Sequence, residues 1–264
     1  MRPLLCLTMI LKDEAHCVQK TLDSVKNFVD CWRILDTGST DNTQAVVCET
    51  MRGLPGRLDT ESFRDFATSR NCVLDIASIG SGGPETTPIF TLMLSADETL
   101  SGGPELRAFL EEQRSAKDGA YSVTMSAENA RWFYPRVLRV DAGWRYVGEV
   151  HEVPLGPGGE THGVPIPGAV ITHRTTDPER RTRRLREFDL PMLTRMAGDE
   201  ARSLTARAQA VWFLAQTYES LADSIERVPG GEWVVYKMAA MAHYWRRTEI
   251  GGVLGGADDA FKTH

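Results

Sequence analysis

Hydrophobic and polar positions give the first half of the chain an alternating rhythm of strands and helices. Leu4 to Leu11 is a continuous apolar run, the pattern of a strand covered on both faces. Glu14 to Phe28 follows, with Val18, Leu22 and Val25 at spacings of four and three, which predicts a helix. Cys31 to Leu35 reads as a second strand and Asn42 to Met51 as a second helix. Between them T-G-S-T-D-N-T supplies turn and helix-capping residues. A third strand is expected at Arg57 to Thr60, a helix at Asp65 to Ile76, a surface loop over Gly80 to Pro88, and a fourth strand at Ile89 to Leu94. Strands alternating with helices predict an α/β fold built on a parallel sheet covered on both faces.

The rhythm then changes. Tyr121 to Ser126, Trp132 to Val140 and Tyr146 to Val150 read as strands separated by Gly- and Pro-rich breaks, a mixed or antiparallel extension. From Pro178 onward the pattern is helical, over Pro178 to Met196, Glu200 to Leu221 and Glu232 to Arg247. The expected organisation is therefore residues 1–175 as one Rossmann-like domain and 176–264 as an α-helical appendage.

Composition narrows the class. With 264 residues, 42% hydrophobic and 25% charged, the chain has the make-up of an ordinary globular protein. No apolar run reaches the length of a membrane span, and Lys12, Asp13 and Glu14 interrupt the apolar N-terminus, so neither a span nor a signal peptide is expected. A net charge of −6 argues against a surface that grips nucleic acid throughout. The five cysteines, Cys6, Cys17, Cys31, Cys48 and Cys72, are scattered and never spaced C-x-x-C. They fit free thiols in a reducing, cytoplasmic setting better than disulfides or a zinc site.

Ligands of an open parallel sheet bind at the carboxyl ends of its strands. Lys12, Asp13 and Glu14 follow the first strand. Asp36, Thr37, Gly38, Ser39, Thr40 and Asp41 follow the second, and Ser95, Ala96, Asp97 and Glu98 the fourth. Three acidic clusters on one edge suit a site for a nucleotide and a hard cation, manganese or magnesium. Each cluster also has a plain reading: Ser39, Thr40 or Asp41 could cap the following helix, and Asp97 could cap a turn.

These segments carry a resemblance. L-T-M-I-L-K-D-E, T-L-D-S-V-K and I-L-D-T-G-S-T-D-N-T look like the opening of family 2 glycosyltransferases with the GT-A fold. F-R-D-F-A-T-S-R-N is similar to the family's next block, and L-M-L-S-A-D-E stands where the family has its D-x-D-type metal motif. R-V-L-R-V-D-A-G-W-R-Y-V-G-E-V-H-E resembles a later block ending in His-Glu, and I-T-H-R a C-terminal histidine. V-W-F-L-A-Q-T-Y-E and H-Y-W-R-R-T-E-I-G-G resemble the branch with TPR-like C-terminal helices. The fold implied is a GT-A mixed sheet flanked by helices. The activity implied is inverting transfer of a sugar from a nucleoside-diphosphate donor, a UDP-sugar first among them.

The resemblance also implies roles. Asp36 would bind the base or ribose, with Ile10, Lys12 and Glu14 lining the same pocket and Thr37, Ser39, Asp41, Asn71, Ser95 and Ala96 in the nucleotide-binding set. Arg70 would reach the uracil or the diphosphate; its plain alternative is a surface salt bridge. Asp97 would ligate the metal, and His173 would be a further ligand or a diphosphate contact. Ser95 departs from the pattern, because it stands where the first acid of the metal motif is usual and brings no charge. An inverting displacement needs a carboxylate to take the acceptor's proton. Glu152, beside His151, is the expected base, since a metal-bound Asp97 would hold a proton poorly. The plain reading of Glu152 is an ion pair with Arg145 or His151. Trp132, Trp144 and Tyr146 are candidates for stacking on a sugar, with core packing the alternative.

Arg174, Arg180, Arg181, Arg183, Arg184 and Arg186 make the densest charge run. It reads either as a solvated helix face or as a patch for an anionic acceptor, such as a phosphorylated lipid head group or hydroxymethylated DNA. A glycan or a protein is equally open as acceptor. Two other classes stand beside the transferase: a non-catalytic nucleotide-binding protein whose helical tail takes a partner, and a nucleotidyltransferase. The last lacks its basic Gly-rich loop after the first strand.

Overall fold

The computed structural model describes residues 2–80, 84–127, 130–174, 177–225 and 231–249. The chain divides into two compact units, Met1–Thr176 and Asp177–His264.

The first unit is α/β. Its elements run β1 (Leu5–Leu11), α1 (Val18–Val25), β2 (Cys31–Asp36), α2 (Thr43–Thr50), β3 (Gly56–Thr60), α3 (Phe66–Ile79), β4 (Phe90–Met93), β5 (Glu98–Ser101), α4 (Gly103–Glu112), β6 (Ala120–Ala127), β7 (Ala130–Arg139), β8 (Arg145–Val147), β9 (Val153–Leu155) and β10 (Val164–His173). Eight strands form one sheet in the order β3-β2-β1-β4-β7-β6-β10-β5, and β8 pairs with β9 in a separate ribbon. β1 to β4 are mutually parallel. β7 is antiparallel to β4 and β6, and β10 runs parallel to β6. The carboxyl ends of β1, β2, β4 and β10 therefore share one edge, and β5, antiparallel to β10, starts there. Between β1 and β4 the winding reverses, which makes the crevice at their carboxyl ends the place for a ligand.

Alternation along the strands sorts the core onto two faces. Ile34 and Leu92 join one cluster with Val18, Leu22 and Leu106, under α1 and α4. Their neighbours Leu35 and Met93 join the other with Ala67, Val73 and Leu74, under α3. Trp144 lies in this second cluster, 7% exposed, so packing is its role and sugar stacking is not.

The helical unit, taken by itself, runs α5 (Pro178–Arg184), a π-helical turn (Leu185–Asp189), α6 (Leu190–Gly198), α7 (Leu204–Asp223) and α8 (Glu232–Glu249). Asp177 and Ser203 cap α5 and α7 by accepting from backbone N–H groups. α7 is the buried spine, with Val211, Leu214, Ala215 and Leu221 almost fully enclosed. Among the described residues no helix is long and apolar enough to cross a membrane. The mixed α/β sheet flanked by helices and the helical C-terminal region are those expected from the sequence.

Differences from the expected elements have local causes. α1 starts at Val18 and not at Glu14; Asp13 is left-handed at φ 53°, and the N–H groups of Asp13, Glu14 and Ala15 donate to the side chains of Ser39, Thr43 and Asp41. β5, α4, β9 and β10 were not expected. β10 carries Pro165, Pro167 and Gly168, and its register shifts between Pro165 and Val170. Gly102, at φ 74°, lies against that irregular segment, where an added Cβ would come within 2.0 Å of the Gly168 carbonyl oxygen. Gly102→Ala is expected to destabilise the fold by about 2–4 kcal/mol, from the left-handed backbone and the clash together. Urea melting checks this; an unchanged midpoint would show that β10 yields freely.

Candidate functional site

The loops after β1 and β2 are laced together. Asp13 N–H donates to Ser39 Oγ at 2.9 Å, Glu14 N–H to Thr43 Oγ1 at 2.7 Å, and Ala15 N–H to Asp41 Oδ2 at 3.1 Å. Thr40 N–H returns a bond to Asp13 Oδ1 at 2.6 Å. Asp13 holds a left-handed φ of 53° there, a conformation that concentrates at functional sites. Thr37 is buried and bonds Leu11 O through both its N–H and its hydroxyl, tying the two strand ends. Ser39, Asp41 and Thr37 thus position backbone. Asp41 accepts from Thr43 N–H in the first turn of α2, so the plain capping reading of Asp41 describes its contacts.

Asp36 differs. It is fully buried at the end of β2. Its Oδ1 accepts from Gly38 N–H at 2.8 Å and Ser39 N–H at 2.7 Å, while Oδ2 is buried with no partner. A carboxylate oxygen left so is costly unless something donates to it. Ile10 pairs with Leu35, one position before Asp36, is half-buried and packs on the α3-side cluster; Lys12 is exposed and Glu14 half-buried.

The β4–β5 turn meets the same loops. The Thr21 hydroxyl of α1 donates to the backbone oxygen of buried Ala96. Glu14 lies against Cys17, with Sγ 3.3 Å from Oε2. Burial first, then Glu14 and Asp97, push the Cys17 thiol up to about 12, so it stays protonated at neutral pH. Glu14, His16 and Cys17 have ligand atoms within 4.8 Å of one another.

Asp97 and His173 are brought together. His173 closes β10, opposite Glu98 in register, and its Nδ1 lies 3.6 Å from Asp97 Oδ2. Arg174 N–H donates to Asp97 O at 2.9 Å, and the Arg174 guanidinium reaches Thr21 Oγ1 at 3.3 Å while its Nε is buried with no partner. Arg174 therefore belongs to this site and not to the basic run of α5, with which the sequence grouped it. Ser95 N–H donates to Glu98 Oε2 at 2.7 Å, and Glu98 Oε1 takes Arg136 Nη2 at 2.6 Å. Both oxygens of Glu98 are occupied, so it does not replace the acid that Ser95 lacks.

A buried ion pair marks the other side. Arg70 Nε donates to Glu152 Oε1 at 2.6 Å, with both side chains about one-tenth exposed. Arg70 is thus neither on the surface nor free, and Glu152 pairs with it and not with Arg145. Arg145 instead meets Asp75 at 2.7 Å. Burial opposes the Arg70 charge, yet Glu152 and Tyr146 hold its pKa above the ordinary arginine value. Asn71 gives its whole amide to the backbone of Tyr146, donating to O and accepting from N–H at 2.8 Å each. Its contacts are structural: it anchors β8 to α3. His151 is exposed and left-handed, at φ 52°, next to Glu152.

Arg70, Trp132, Tyr134, Arg136, Tyr146 and Glu152 line a cavity of about 180 Å³. Trp132, Tyr134 and Arg136 alternate along β7 and so share a face, a signal readable in W-F-Y-P-R that singled out neither Tyr134 nor Arg136 beforehand. The Arg70 guanidinium lies 5.4 Å from the Tyr146 ring centre and Arg136 5.3 Å from that of Tyr134.

No protein-family model matches the chain. A TPR repeat-containing protein of Synechococcus elongatus is 37% identical over 108 residues, which is 40% of this chain and 24% of that protein's length. Among solved structures, S. aureus TarS 1-349 in complex with UDP-GlcNAc is similar at 12% identity, over 92% of this chain and 81% of that one, with a TM-score of 0.47. Mycobacterium tuberculosis glucosyl-3-phosphoglycerate synthase, in complex with Mn2+, UDP-glucose and phosphoglyceric acid, is similar at 13% identity over 48% and 45%, with a TM-score of 0.33.

Proposed function

We propose that the chain is an inverting glycosyltransferase of the family 2 type, with residues 1–175 as its catalytic GT-A domain and 176–264 as a helical region. The donor is a nucleoside-diphosphate sugar, UDP-linked first among the candidates. The observation that carries this is the meeting of Asp97 and His173, 3.6 Å apart, on the sheet edge where β2 also ends at Asp36 with its buried, unpartnered oxygen.

Asp36 Oδ2 would accept from the base or ribose. Asp97 and His173 offer a carboxylate and an imidazole, half-exposed, a donor set that suits manganese or magnesium with phosphate oxygens completing the shell. At bond lengths of about 2.1 Å, neighbouring ligand atoms stand about 3 Å apart, so a separation of 3.6 Å asks for little movement. A bound cation would neutralise charge on the departing diphosphate. Arg174, with its spare Nε, would add a guanidinium to the same task.

The acceptor hydroxyl would attack C1 of the sugar from the face opposite the diphosphate. The C1–O bond to phosphate breaks with its electron pair, and the anomeric centre inverts. Arg70 fixes Glu152 through Oε1, which leaves Oε2 to take the hydroxyl's proton as the new bond forms. His151 stands beside this carboxylate. The acceptor's identity is open among glycan, protein, lipid head group and modified DNA.

The test is release of nucleoside diphosphate from a panel of nucleotide sugars, with manganese and with a chelator. Release from a UDP-sugar in the presence of manganese is expected. Because Ser95 and the occupied Glu98 thin out the metal site, a non-catalytic nucleotide-binding protein is the second reading. Tight UDP binding with no release from any donor would establish it.

A further inference from the structure

We propose that the cavity around Tyr146 receives an oxyanion, a carboxylate or a phosphate, carried by the sugar acceptor. Its walls hold three hydrogen-bond donors without partners: Arg70 Nη1, Arg136 Nε and the Tyr146 hydroxyl are all buried and unpaired. Tyr146 is 3% exposed and Arg70 8%. The Arg70 guanidinium lies 5.4 Å from the Tyr146 ring centre, and Arg136 lines the same cavity, so the three residues form one cluster.

A buried donor left unpaired costs about 1–3 kcal/mol. Three in one wall call for a ligand that accepts several hydrogen bonds at once. Guanidinium groups cannot accept at all, so a ligand group that only accepts can meet all three donors, whereas a sugar hydroxyl spends part of its capacity as a donor. Carboxylate and phosphate oxygens are acceptors only, and guanidinium is the side chain that matches them. Each arginine already faces a carboxylate, Glu152 for Arg70 and Glu98 for Arg136, so the ligand is held by directed bonds more than by net charge. Binding is therefore expected to be modest.

The volume, about 180 Å³, is below the roughly 300 Å³ at which sites for drug-sized ligands begin. It takes a small anionic group and not a nucleotide sugar. Glu152 lies in the same wall, so a hydroxyl that gives it a proton belongs to the molecule whose oxyanion sits here. Assigning that molecule as the acceptor rests on the glycosyltransferase reading; binding of the oxyanion does not.

Inorganic phosphate and acetate are titrated calorimetrically into the full chain, alone and at saturating UDP. The wild type is expected to bind at least one of them with UDP present or absent. Preference for phosphate marks a phosphorylated acceptor, and preference for acetate a carboxylated one. Tyr146→Phe is expected to weaken binding about tenfold. Its melting temperature without oxyanion should be equal or higher, because an unpaired buried hydroxyl has gone; a structural hydroxyl would lower it. Arg136→Lys keeps a charge opposite Glu98 but lacks the Nε donor, and must show the same loss of binding. Absence of binding, or binding unchanged in both variants, overturns the proposal. Loss of binding at saturating UDP overturns it too, by giving the cavity to the nucleotide's diphosphate. If no nucleotide sugar releases its diphosphate, the transferase reading fails while the titration still decides whether the cavity takes an oxyanion.

Discussion

Glu152→Gln is expected to lower kcat for sugar transfer by about 10²–10⁴-fold, the range of a lost general base, while donor binding stays within a factor of two or so. Glutamine keeps an oxygen for Arg70 Nε and removes only the carboxylate charge proposed to take the proton. The variant has a second consequence that must be separated from the first. Arg70 is buried with its charge sustained by Glu152, so a neutral partner leaves a guanidinium uncompensated. Breaking a buried pair outright costs about 3–5 kcal/mol; the retained hydrogen bond places Glu152→Gln toward the lower end or below. Melting and UDP binding are therefore measured on the same preparation, and the rate is taken per folded, nucleotide-binding molecule. Transfer within about threefold of wild type on that basis would sink the base assignment and leave Glu152 as the structural partner of Arg70.

What could be read beforehand follows from periodicity. β1 and β4 are largely apolar and β2 is buried at every position because both faces of the sheet are covered, and the polar clusters at their ends are where the topology puts a crevice. β5 has four residues and β10 is broken by two prolines and a glycine, so neither shows a strand's alternation. Yet β10 is what carries His173 to the edge beside Asp97, a meeting of residues 97 and 173 that no local spacing encodes. Side-chain roles were legible only as residue types. Ser39, Asp41, Thr37, Ala96 and Asn71 are expected nucleotide contacts; in the fold the side chains of Ser39, Asp41, Thr37 and Asn71 bond backbone groups, and Ala96 O accepts from the Thr21 hydroxyl. Which carboxylate oxygen remains without a partner, as at Asp36, depends on a loop conformation that the sequence does not state. Arg174 was read with α5 because it adjoins the basic run; its N–H bond to Asp97 O comes from the end of β10.

Asp97→Asn is expected to lower kcat by about 10²–10³-fold and to raise the manganese concentration for half-maximal activity, with the Kd for free UDP in chelator nearly unchanged. The size follows from how few charges the site has. Ser95 contributes none and Glu98 is held by Ser95 N–H and by Arg136, so among the described residues Asp97 is the carboxylate whose oxygen lies 3.6 Å from His173. Asparagine keeps the shape and an oxygen but not the charge, so a hard cation is held mainly by the imidazole and the donor's phosphates. Asp97 also accepts Arg174 N–H, but through its backbone oxygen, so the substitution leaves that link and the turn intact. The companion variant Ser95→Asp adds an acid two residues before Asp97 and should lower the manganese requirement, by the added charge. Wild-type transfer that persists unchanged in chelator, together with an Asp97→Asn variant of full activity, would show that Arg174 and the other cations stabilise the leaving diphosphate without a metal.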